Sequence, residues 1–433
     1  VVLNGQKYQD ITSYDRMHMP RHTMDWSNVP RQTKSYPVLP TVALEPRAGM
    51  TGRSFWQVMQ ETEGALRDAT LDIQSLSAVL GLAYGYTARQ RLGGQEYLYR
   101  SVPSAGALYP VEIYVSGAGV SGLPQGLFHY NIHDFTLQQL RDEHESTRIA
   151  ETLAIPESEN SWISFILSGL FFRSSWKYRE RAFRYVLLDT GHLVENLAST
   201  LAFAGLPCSV RYDFVDERLC SLVGLDRIKE ACFAVVDVHS GRTLDGIGGG
   251  ASGPEPMALD AEVAGASRVS SQEVTYDAVK QIYFASSKHR SGGNPNGETL
   301  RVTSLEAREW FPVRQPQVGK LATDYIGVIQ GRRSRRNFVR EPIPVLSFMR
   351  LLSLIGATPR FDLGAESCSS PAATGFLVGH VEGFDQGYYR YDAENRMYGL
   401  LESGFFVEKM AGVCLDQRWL ANAGALFLFM ANL

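Results

Sequence analysis

The stretch Gly126-Leu127-Phe128-His129-Tyr130-Asn131 returns 261 positions later as Gly387-Tyr388-Tyr389-Arg390-Tyr391-Asp392. In both places apolar or aromatic residues alternate with others ahead of a polar turn, which is typical of a strand in a hairpin. A match at a fixed distance indicates an internal repeat, and a repeat decides the architecture of the whole chain.

Two further pairs of segments extend the repeat. The apolar strand Ile163–Leu167 corresponds to Ala425–Phe429. A helical stripe of apolar residues also recurs, with the spacing of one face of an amphipathic helix. It comprises Ile73, Leu76, Val79 and Leu82 in the first copy and Ile343, Leu346, Met349 and Leu352 in the second. The order helix, hairpin, strand is the same in both copies, so we expect two fused units of one α+β fold.

The two copies are unequal. After its strand, the first copy continues with a long helix that is nearly apolar from Val186 to Ala204, whereas the second copy ends at Leu433 without a counterpart. Loss of this part during evolution and a shortened chain explain that difference equally well.

Composition limits the possible functions. A chain of 433 residues fits two domains, and 44% hydrophobic with 20% charged residues is typical of a soluble globular protein. The net charge of −4 provides no global basic field, so we do not expect nucleic acid as a partner. No stretch reaches the apolar length of a membrane span, so no membrane partner is expected either.

The cysteines and histidines argue against a metal site. The five cysteines are odd in number and include no C-x-x-C pair, which disfavours a disulfide framework and zinc and favours a reducing cytoplasm. His18 and His22 have metal-like spacing, but Pro20 between them argues against a helix that would align them. We therefore expect no metal.

Changes in composition predict the domain boundaries. The beginning of the chain mixes Pro, Arg, His and Tyr without periodicity, and a later stretch is rich in Gly, Ala, Ser and Pro, which favours a linker. The expected organisation is an N-terminal arm (1–50), a first unit (51–240), a linker with a short helix (241–319) and a shorter second unit (320–433).

The densest positive charge is Arg332-Arg333-Ser334-Arg335-Arg336-Asn337-Phe338. Guanidinium groups offer fixed, fork-shaped donors that suit phosphate. Taken alone, the run fits a solvated basic turn equally well.

Two other stretches are candidates for chemistry. Ser101–Pro110 is rich in small residues, which allow a planar ligand to approach the backbone closely, although the stretch could also be only a turn that leads into the strand Val111–Val115. Phe171–Tyr185 is basic and aromatic and enters the long apolar helix. Desolvation there would prepare a lysine to act as a general base, and a solvated face is the alternative.

Taken together, these stretches resemble the SagB/ThcOx-type dehydrogenases of the flavin nitroreductase superfamily. The resemblance is specific over 55–240 and looser over 320–433, where R-R-S-R-R-N-F is similar to the superfamily's phosphate motif. The motifs of the first copy are S-A-G-A-L-Y-P (Ser104–Pro110), G-L-F-H-Y-N (Gly126–Asn131), W-K-Y-R-E-R-A-F-R-Y (Trp176–Tyr185) and D-T-G-H-L-V-E-N-L-A (Asp189–Ala198).

The resemblance implies a fold, a cofactor and residue roles. Each unit would have a central mixed sheet flanked by helices, the fused chain would mimic a dimer, and the cofactor would be FMN. The family's catalytic Lys-Tyr pair falls on Lys177 and Tyr178. The flavin would be bound by Arg332, Arg333, Ser334 and Arg336 at its phosphate and by Pro103, Ser104, Ala105, Gly106 and Tyr109 at its rings.

Departures from the family pattern are complementary. Where the first copy should carry the phosphate motif it has Glu63–Asp68, which keeps one Arg and adds acids that repel phosphate. Where the second copy should carry S-A-G-A-L-Y-P it has Ser369–Gly375, without the Tyr-Pro. Each copy keeps what the other lost, which predicts one composite FMN site per chain.

The function implied by the resemblance is oxidation of thiazoline or oxazoline rings to thiazoles or oxazoles on a peptide or a carrier-bound peptide. Further partners would be other enzymes of a peptide-modifying pathway. Two alternatives stay open: an NAD(P)H-dependent reductase of nitro compounds or quinones, and a non-catalytic docking subunit of a peptide-modifying complex. The sequence does not identify the peptide, the ring heteroatom, the electron acceptor or the oligomeric state.

Overall fold

The computed structural model divides the chain into two compact units. The residues that the structure describes are 3–13, 22–45, 53–60, 71–156, 159, 161–239, 257–289, 307–314, 323–355 and 372–431. Unit 1 takes in the described residues up to 289 together with Thr323–Arg332, and unit 2 takes in the rest.

The centre of unit 1 is a seven-stranded sheet with the order β1-β6-β5-β4-β7-β9-β8. A separate hairpin is formed by β2 and β3. Among the residues of unit 1 that the structure describes, the strands are β1 (Thr41–Ala43), β2 (Tyr86–Leu92), β3 (Gln95–Arg100), β4 (Val111–Ala118), β5 (Gly126–Asn131), β6 (Thr136–Arg141), β7 (Trp162–Leu170), β8 (Cys208–Arg211) and β9 (Glu230–His239).

The longest helix of unit 1 is the predicted apolar one, which ends where Gly205 adopts a left-handed conformation with φ of 76°. The helices in the described part of unit 1 are α1 (Gly5–Thr12), α2 (Phe55–Gln60), α3 (Ile73–Tyr84), α4 (Ser146–Thr152), α5 (Phe171–Tyr178), α6 (Ala182–Ala204), α7 (Asp216–Val223), α8 (Ala261–Gly265), α9 (Asp277–Ser286) and α10 (Tyr325–Gly331).

Alternation along the central strands produces a core on each face of the sheet. In β4, Ile113 and Val115 face a core shared with α3 and the C-terminal half of α6, while Tyr114 faces a second core. Because successive side chains of a strand point to opposite faces, a strand covered by helices on both sides is buried along its whole length. The same division occurs in β7, where Phe165 and Ile166 face opposite cores.

Unit 2 repeats five of these strands in the same spatial order, β10-β13-β12-β11-β14. Its core contains Phe348, Phe376 and Tyr389. The strands are β10 (Phe311–Pro312), β11 (Ala372–Val378), β12 (Gly387–Asp392), β13 (Met397–Ser403) and β14 (Ala425–Ala431), and the helices are α11 (Val345–Ile355) and α12 (Phe406–Val413).

The registers of the two sheets agree residue by residue. Phe128 pairs with Val115 and Gln139, and 261 positions later Tyr389 pairs with Phe376 and Leu400. Each sheet also has an irregularity at the same place, between Leu127 and Phe128 in β5 and between Tyr388 and Tyr389 in β12. The expected α+β architecture of two fused units is confirmed.

Two details of the expectation are wrong. We expected mixed sheets, but every named strand pair in the described part of the chain is antiparallel, and parallel pairing is confined to isolated bridges. The helical stripe of the second copy is also displaced, because α11 buries Phe348, Met349 and Leu352 and leaves Leu346 57% exposed. At about 100° per residue, Leu346 lies about 200° around the helix from Phe348.

The division into units differs from the predicted boundaries in the arm and in the linker. Arm residues form α1 and the edge strand β1, which pairs with β6. Within the predicted linker, α9 buries Val279, Ile282 and Tyr283 in the second core of unit 1. Beyond the linker, α10 packs on unit 1 because Tyr325 stacks on Phe203 at a centroid distance of 4.6 Å. Contacts between residues distant in sequence thus determine that these segments belong to unit 1.

None of the described helices has both the length and the apolarity needed to cross a membrane.

The arm is held to the sheet by a buried ion pair. Lys34 Nζ lies 2.6 Å from Glu230 Oε2, and both side chains have no exposed surface. Tyr114 and Ser168 donate hydrogen bonds to the other carboxylate oxygen, over 3.0 and 2.6 Å. Burial by itself lowers the pKa of Lys34, but the neighbouring Glu230 carboxylate raises it, and the net direction is upward. The lysine therefore stays charged in the interior.

We expect Lys34→Met to destabilise unit 1 by about 3–5 kcal/mol, because it leaves a buried carboxylate without its cation. The double variant Lys34→Met/Glu230→Gln should recover part of this loss, since the amide oxygen still accepts from Tyr114 or Ser168. Urea unfolding of the three proteins measures the difference. A single variant that is no less stable than the double variant would contradict the assignment.

Candidate active site

The loop between β3 and β4 has an unusual backbone. Gly106, Ala107 and Tyr109 all have positive φ, at 67°, 55° and 48°. Glycine adopts this region freely, but Ala107 and Tyr109 do so at a cost of about 1–3 kcal/mol each. Such a conformation persists only where the surroundings hold it.

Three side chains from distant parts of unit 1 hold the loop. Gln32 of the arm donates to the Ala107 carbonyl over 3.0 Å, and Arg173 of α5 donates to the Tyr109 carbonyl over 2.9 Å. Asp189 of α6 accepts from Ser104 Oγ over 2.5 Å and from the Ala105 N–H over 3.2 Å. The arm and two helices thus fix the loop from three sides.

Arg173 is itself fixed by a second set of bonds. It is fully buried, its Nε donates to the Arg31 carbonyl over 2.8 Å, and its Nη1 lies 2.5 Å from Glu112 Oε1 of β4. His129 Nε2 lies 3.0 Å from the other oxygen of Glu112. Burial by itself raises the pKa of Glu112, but Arg173 and His129 lower it, and the net result is a pKa of about 2. The carboxylate therefore stays ionised beneath the loop.

The predicted catalytic pair lies against this loop. A Cβ added to Gly106 would be 2.9 Å from Tyr178 Oη and 3.1 Å from Lys177 Nζ, so both polar atoms approach the bare Cα of the glycine. Lys177 and Tyr178 end α5, where Arg179 turns the chain with a φ of 51°. The Tyr178 ring stacks on Tyr185 of α6 at a centroid distance of 4.1 Å. The structure thus brings together two groups of residues that were predicted separately.

One predicted phosphate ligand also lies beside the loop. Arg332 follows α10 directly, and its Nε donates to the Ser101 carbonyl over 2.9 Å. Arg333, Ser334 and Arg336 belong to unit 2, where the Arg336 guanidinium lies 5.9 Å from the centre of the Trp419 ring. The role of these three stays a prediction.

The structure describes only part of the two complementary half-motifs. Glu63–Asp68 and the residues from Ser369 to Pro371 lie outside the described part of the chain, while Ala372–Gly375 form the beginning of β11.

The histidines take part in protein contacts. The buried His129 pairs with Glu112, and His22 Nε2 lies 3.0 Å from the Lys177 carbonyl oxygen. His18 lies outside the described residues. Among the described residues no group of three or more His, Cys, Asp or Glu side chains could hold a metal ion.

Sequence reasoning missed the residues that support the loop. Asp189 lies within a motif that resembles the family and Arg173 lies in the basic, aromatic stretch Phe171–Tyr185, but nothing in their own spacing pointed to the loop. Gln32 lies in the arm, 75 positions before its partner Ala107. Their contacts depend on the tertiary fold, and local periodicity carries no signal for them.

Comparison with known proteins identifies the family of the chain. Residues 65–238 match the nitroreductase family. The trifolitoxin-processing protein TfxB of Rhizobium leguminosarum bv. trifolii is 26% identical over 240 residues, which cover 54% of this chain and 64% of TfxB. This chain therefore spans slightly less than two thirds of that relative.

Two further comparisons concern proteins described as putative nitroreductases. One from Methanocaldococcus jannaschii is 30% identical over 151 residues, which cover 33% of this chain and 71% of that protein. The crystal structure of one from Anabaena variabilis has a TM-score of 0.74 and 23% identity, and the match covers 98% of this chain and 84% of that chain. The last comparison shows a shared fold. The sequence matches go further, and with the flavin-family motifs gathered around one loop they place the chain in the nitroreductase family of oxidoreductases.

Proposed function

We propose that this chain is an FMN-dependent dehydrogenase of the SagB/ThcOx type that oxidises thiazoline or oxazoline rings on a peptide or a carrier-bound peptide. The observation that carries the proposal is the approach of Lys177 Nζ and Tyr178 Oη to the backbone of Gly106. A proton acceptor is thereby held beside the loop proposed to face the flavin.

The loop suits the close approach of a flat ring system. Gly106 has no side chain to keep a ring away, and its positive φ turns the backbone into a conformation that other residues adopt only under strain. Nitroreductase-family proteins generally use a flavin. The proposed ring contacts remain Pro103, Ser104, Ala105, Gly106 and Tyr109.

The proposed phosphate ligands are Arg332, Arg333, Ser334 and Arg336. Arg332 is anchored through Nε to Ser101, which orients its guanidinium from a fixed point near the loop. A guanidinium fixed in this way suits the planar, two-point recognition of a phosphate.

Oxidation of an azoline removes a proton from one ring carbon and a hydride from its neighbour, and a bound FMN would accept the hydride. The side chains supply the other half of the reaction. Lys177 or Tyr178 takes the proton, and the stacking of Tyr178 on Tyr185 keeps the phenol in place. Placement of the acceptor at a fixed distance is worth about 10²–10⁴ in rate.

The relatives support a peptide substrate. TfxB is by its name a processing protein for trifolitoxin, and this chain matches it over 240 residues. The choice between thiazoline and oxazoline is left to experiment.

The purified protein is expected to be yellow and to release one FMN per chain on denaturation, because each copy keeps only half of the motifs. Absorbance of the released flavin against protein concentration measures the ratio. Two FMN per chain would overturn the composite site. A colourless protein that FMN does not reconstitute would favour a docking subunit. Flavin that NAD(P)H bleaches rapidly, without any oxidation of azolines, would favour a nitro or quinone reductase.

Lys177→Ala should keep its flavin and lose about 10²–10⁴ in turnover, because the proton acceptor is removed while the loop stays intact. The measurement is the loss of two hydrogens from a thiazoline peptide, followed by mass spectrometry. Lys280→Ala, which removes an exposed lysine from α9, is the matched control. Full turnover in Lys177→Ala with flavin bound would refute the role of the lysine.

Arg332→Ala should weaken FMN binding by about tenfold or more, the effect of losing a charged hydrogen bond to the phosphate. Arg335→Ala, in the same basic run but outside the proposed set, should change the dissociation constant much less. Titration of flavin-free protein with FMN compares the two variants. Equal effects would mean that the run attracts phosphate only through its overall charge.

A further inference from the structure

One buried carboxylate in unit 1 has no part in the proton transfer described above. Asp189 lies on α6 and is 6% exposed. Its two oxygens accept from Ser104 Oγ and from the Ala105 N–H, both in the loop that carries Gly106. Its hydrogen-bonding capacity is therefore directed at the loop.

Ser104 links Asp189 to the other end of the loop. Its hydroxyl donates to Asp189 over 2.5 Å and accepts from the Tyr109 N–H over 2.9 Å. A single hydroxyl thus joins position 104 to position 109, and Gly106 and Ala107 lie within the closed segment. Because a hydroxyl carries only one proton, Ser104 donates to Asp189 only while the carboxylate oxygen that it contacts is unprotonated.

The surroundings of Asp189 contain little to compensate its charge. His192, one turn later on α6, lowers the pKa of Asp189, and Tyr84 of α3 is close enough for the carboxylate to raise the pKa of its phenol. Within the described part of the chain, no Lys or Arg forms an ion pair with it. Burial outweighs the two hydrogen bonds and His192, and raises the pKa of Asp189 to about 6.

A raised pKa in the folded state means that this carboxylate opposes folding at neutral pH. Asp189 would ionise at its ordinary pKa of 3.8 in the unfolded chain and at a pKa of about 6 in the folded chain, so stability falls as the pH rises between these values. A residue that lowers stability, yet makes two bonds to one loop, is typical of a functional position.

We propose that Asp189 is a positioning residue, which acts through Ser104 to hold the Ser104–Tyr109 segment in the conformation that brings Gly106 against Lys177 and Tyr178. This inference rests on the proposed function for its effect on turnover. Its effect on the loop is independent of any flavin.

Protonation of Asp189 has a defined consequence. The Ala105 N–H and the Ser104 hydroxyl already donate to the two oxygens of Asp189, so the proton of a neutral carboxyl would meet one of these two donors. Either Ser104 turns its proton away or the Ala105 N–H loses its acceptor, so a charge-assisted bond to the loop is lost, and the loop loosens as the pH falls through about 6. The rate of the enzyme should show an acid limb at the same pH.

The test compares Asp189→Asn with Glu195→Gln, which neutralises an exposed carboxylate on the same helix. Amide hydrogen exchange of the protein as purified should be about tenfold faster at Ala105 and Tyr109 in Asp189→Asn and unchanged in Glu195→Gln. Turnover should fall through kcat with KM little changed, the acid limb should disappear, and the melting temperature at pH 8 should not fall.

The wild-type protein supplies a second measurement that needs no variant. Protection of the same two amides, corrected for intrinsic exchange, should decrease below pH 6. Unchanged protection in both experiments would overturn the proposal. Faster exchange in a protein that binds no flavin would uphold the positioning of the loop and refute the proposed function. If Asp189→Asn binds flavin and its exchange and kcat are both unchanged, the positioning role of Asp189 is refuted while the proposed function stands.

Discussion

The guanidinium of Arg173 connects the parts of unit 1 on which the candidate site depends. It belongs to α5, the helix that ends in Lys177 and Tyr178, and it donates hydrogen bonds to the Tyr109 and Arg31 carbonyls and forms an ion pair with Glu112. One rigid, planar group thus contacts the loop, the arm and the sheet, and fixes their positions relative to one another. Replacing it by an ammonium would lose the fork geometry that lets one side chain serve three partners.

The two faces of the sheet of unit 1 have different chemistry. The face towards α3 is apolar along β4, with Val111, Ile113 and Val115. The opposite face of β4 carries Glu112 and Tyr114, and the neighbouring strands add Ser168 and Glu230. Such a polar face is stable in the interior only when each group is bonded. The arm supplies the cation Lys34 and the Arg31 carbonyl, and it therefore completes the core as well as covering it.

The sequence allowed the repeated elements to be predicted, because strand alternation and helical spacing are local. The strands predicted at Gly126 and at Gly387 are β5 and β12 of the structure, which in addition share an irregular register. The proximity of the Lys177-Tyr178 pair to Gly106 followed only from the resemblance to a family. The stripe of α11 shows what the spacing of apolar residues does not predict. The helix has two apolar faces, and the one that contains Phe348 packs into the core.

The membership of α10 and the supports of the loop could not be predicted in this way. Tyr325 reaches Phe203 across 122 positions of sequence, and Ser104 reaches Asp189 across 85. These pairings depend on the tertiary fold, and neither partner carries a local signal for the other. Long-range pairs of this kind are the part of a site that single-sequence patterns leave open.

The placement of α10 has a practical consequence for anyone who divides this chain. The described chain enters unit 2 at β10, returns to unit 1 for Thr323–Arg332 and then enters unit 2 again. No single cut of the chain therefore separates the two units. A fragment that stops after α9 would expose the apolar seat of Tyr325 on Val58, Ala202 and Phe203, and a downstream fragment would carry an orphan helix. Two such fragments produced together could recover the missing packing by complementation, which neither would achieve separately.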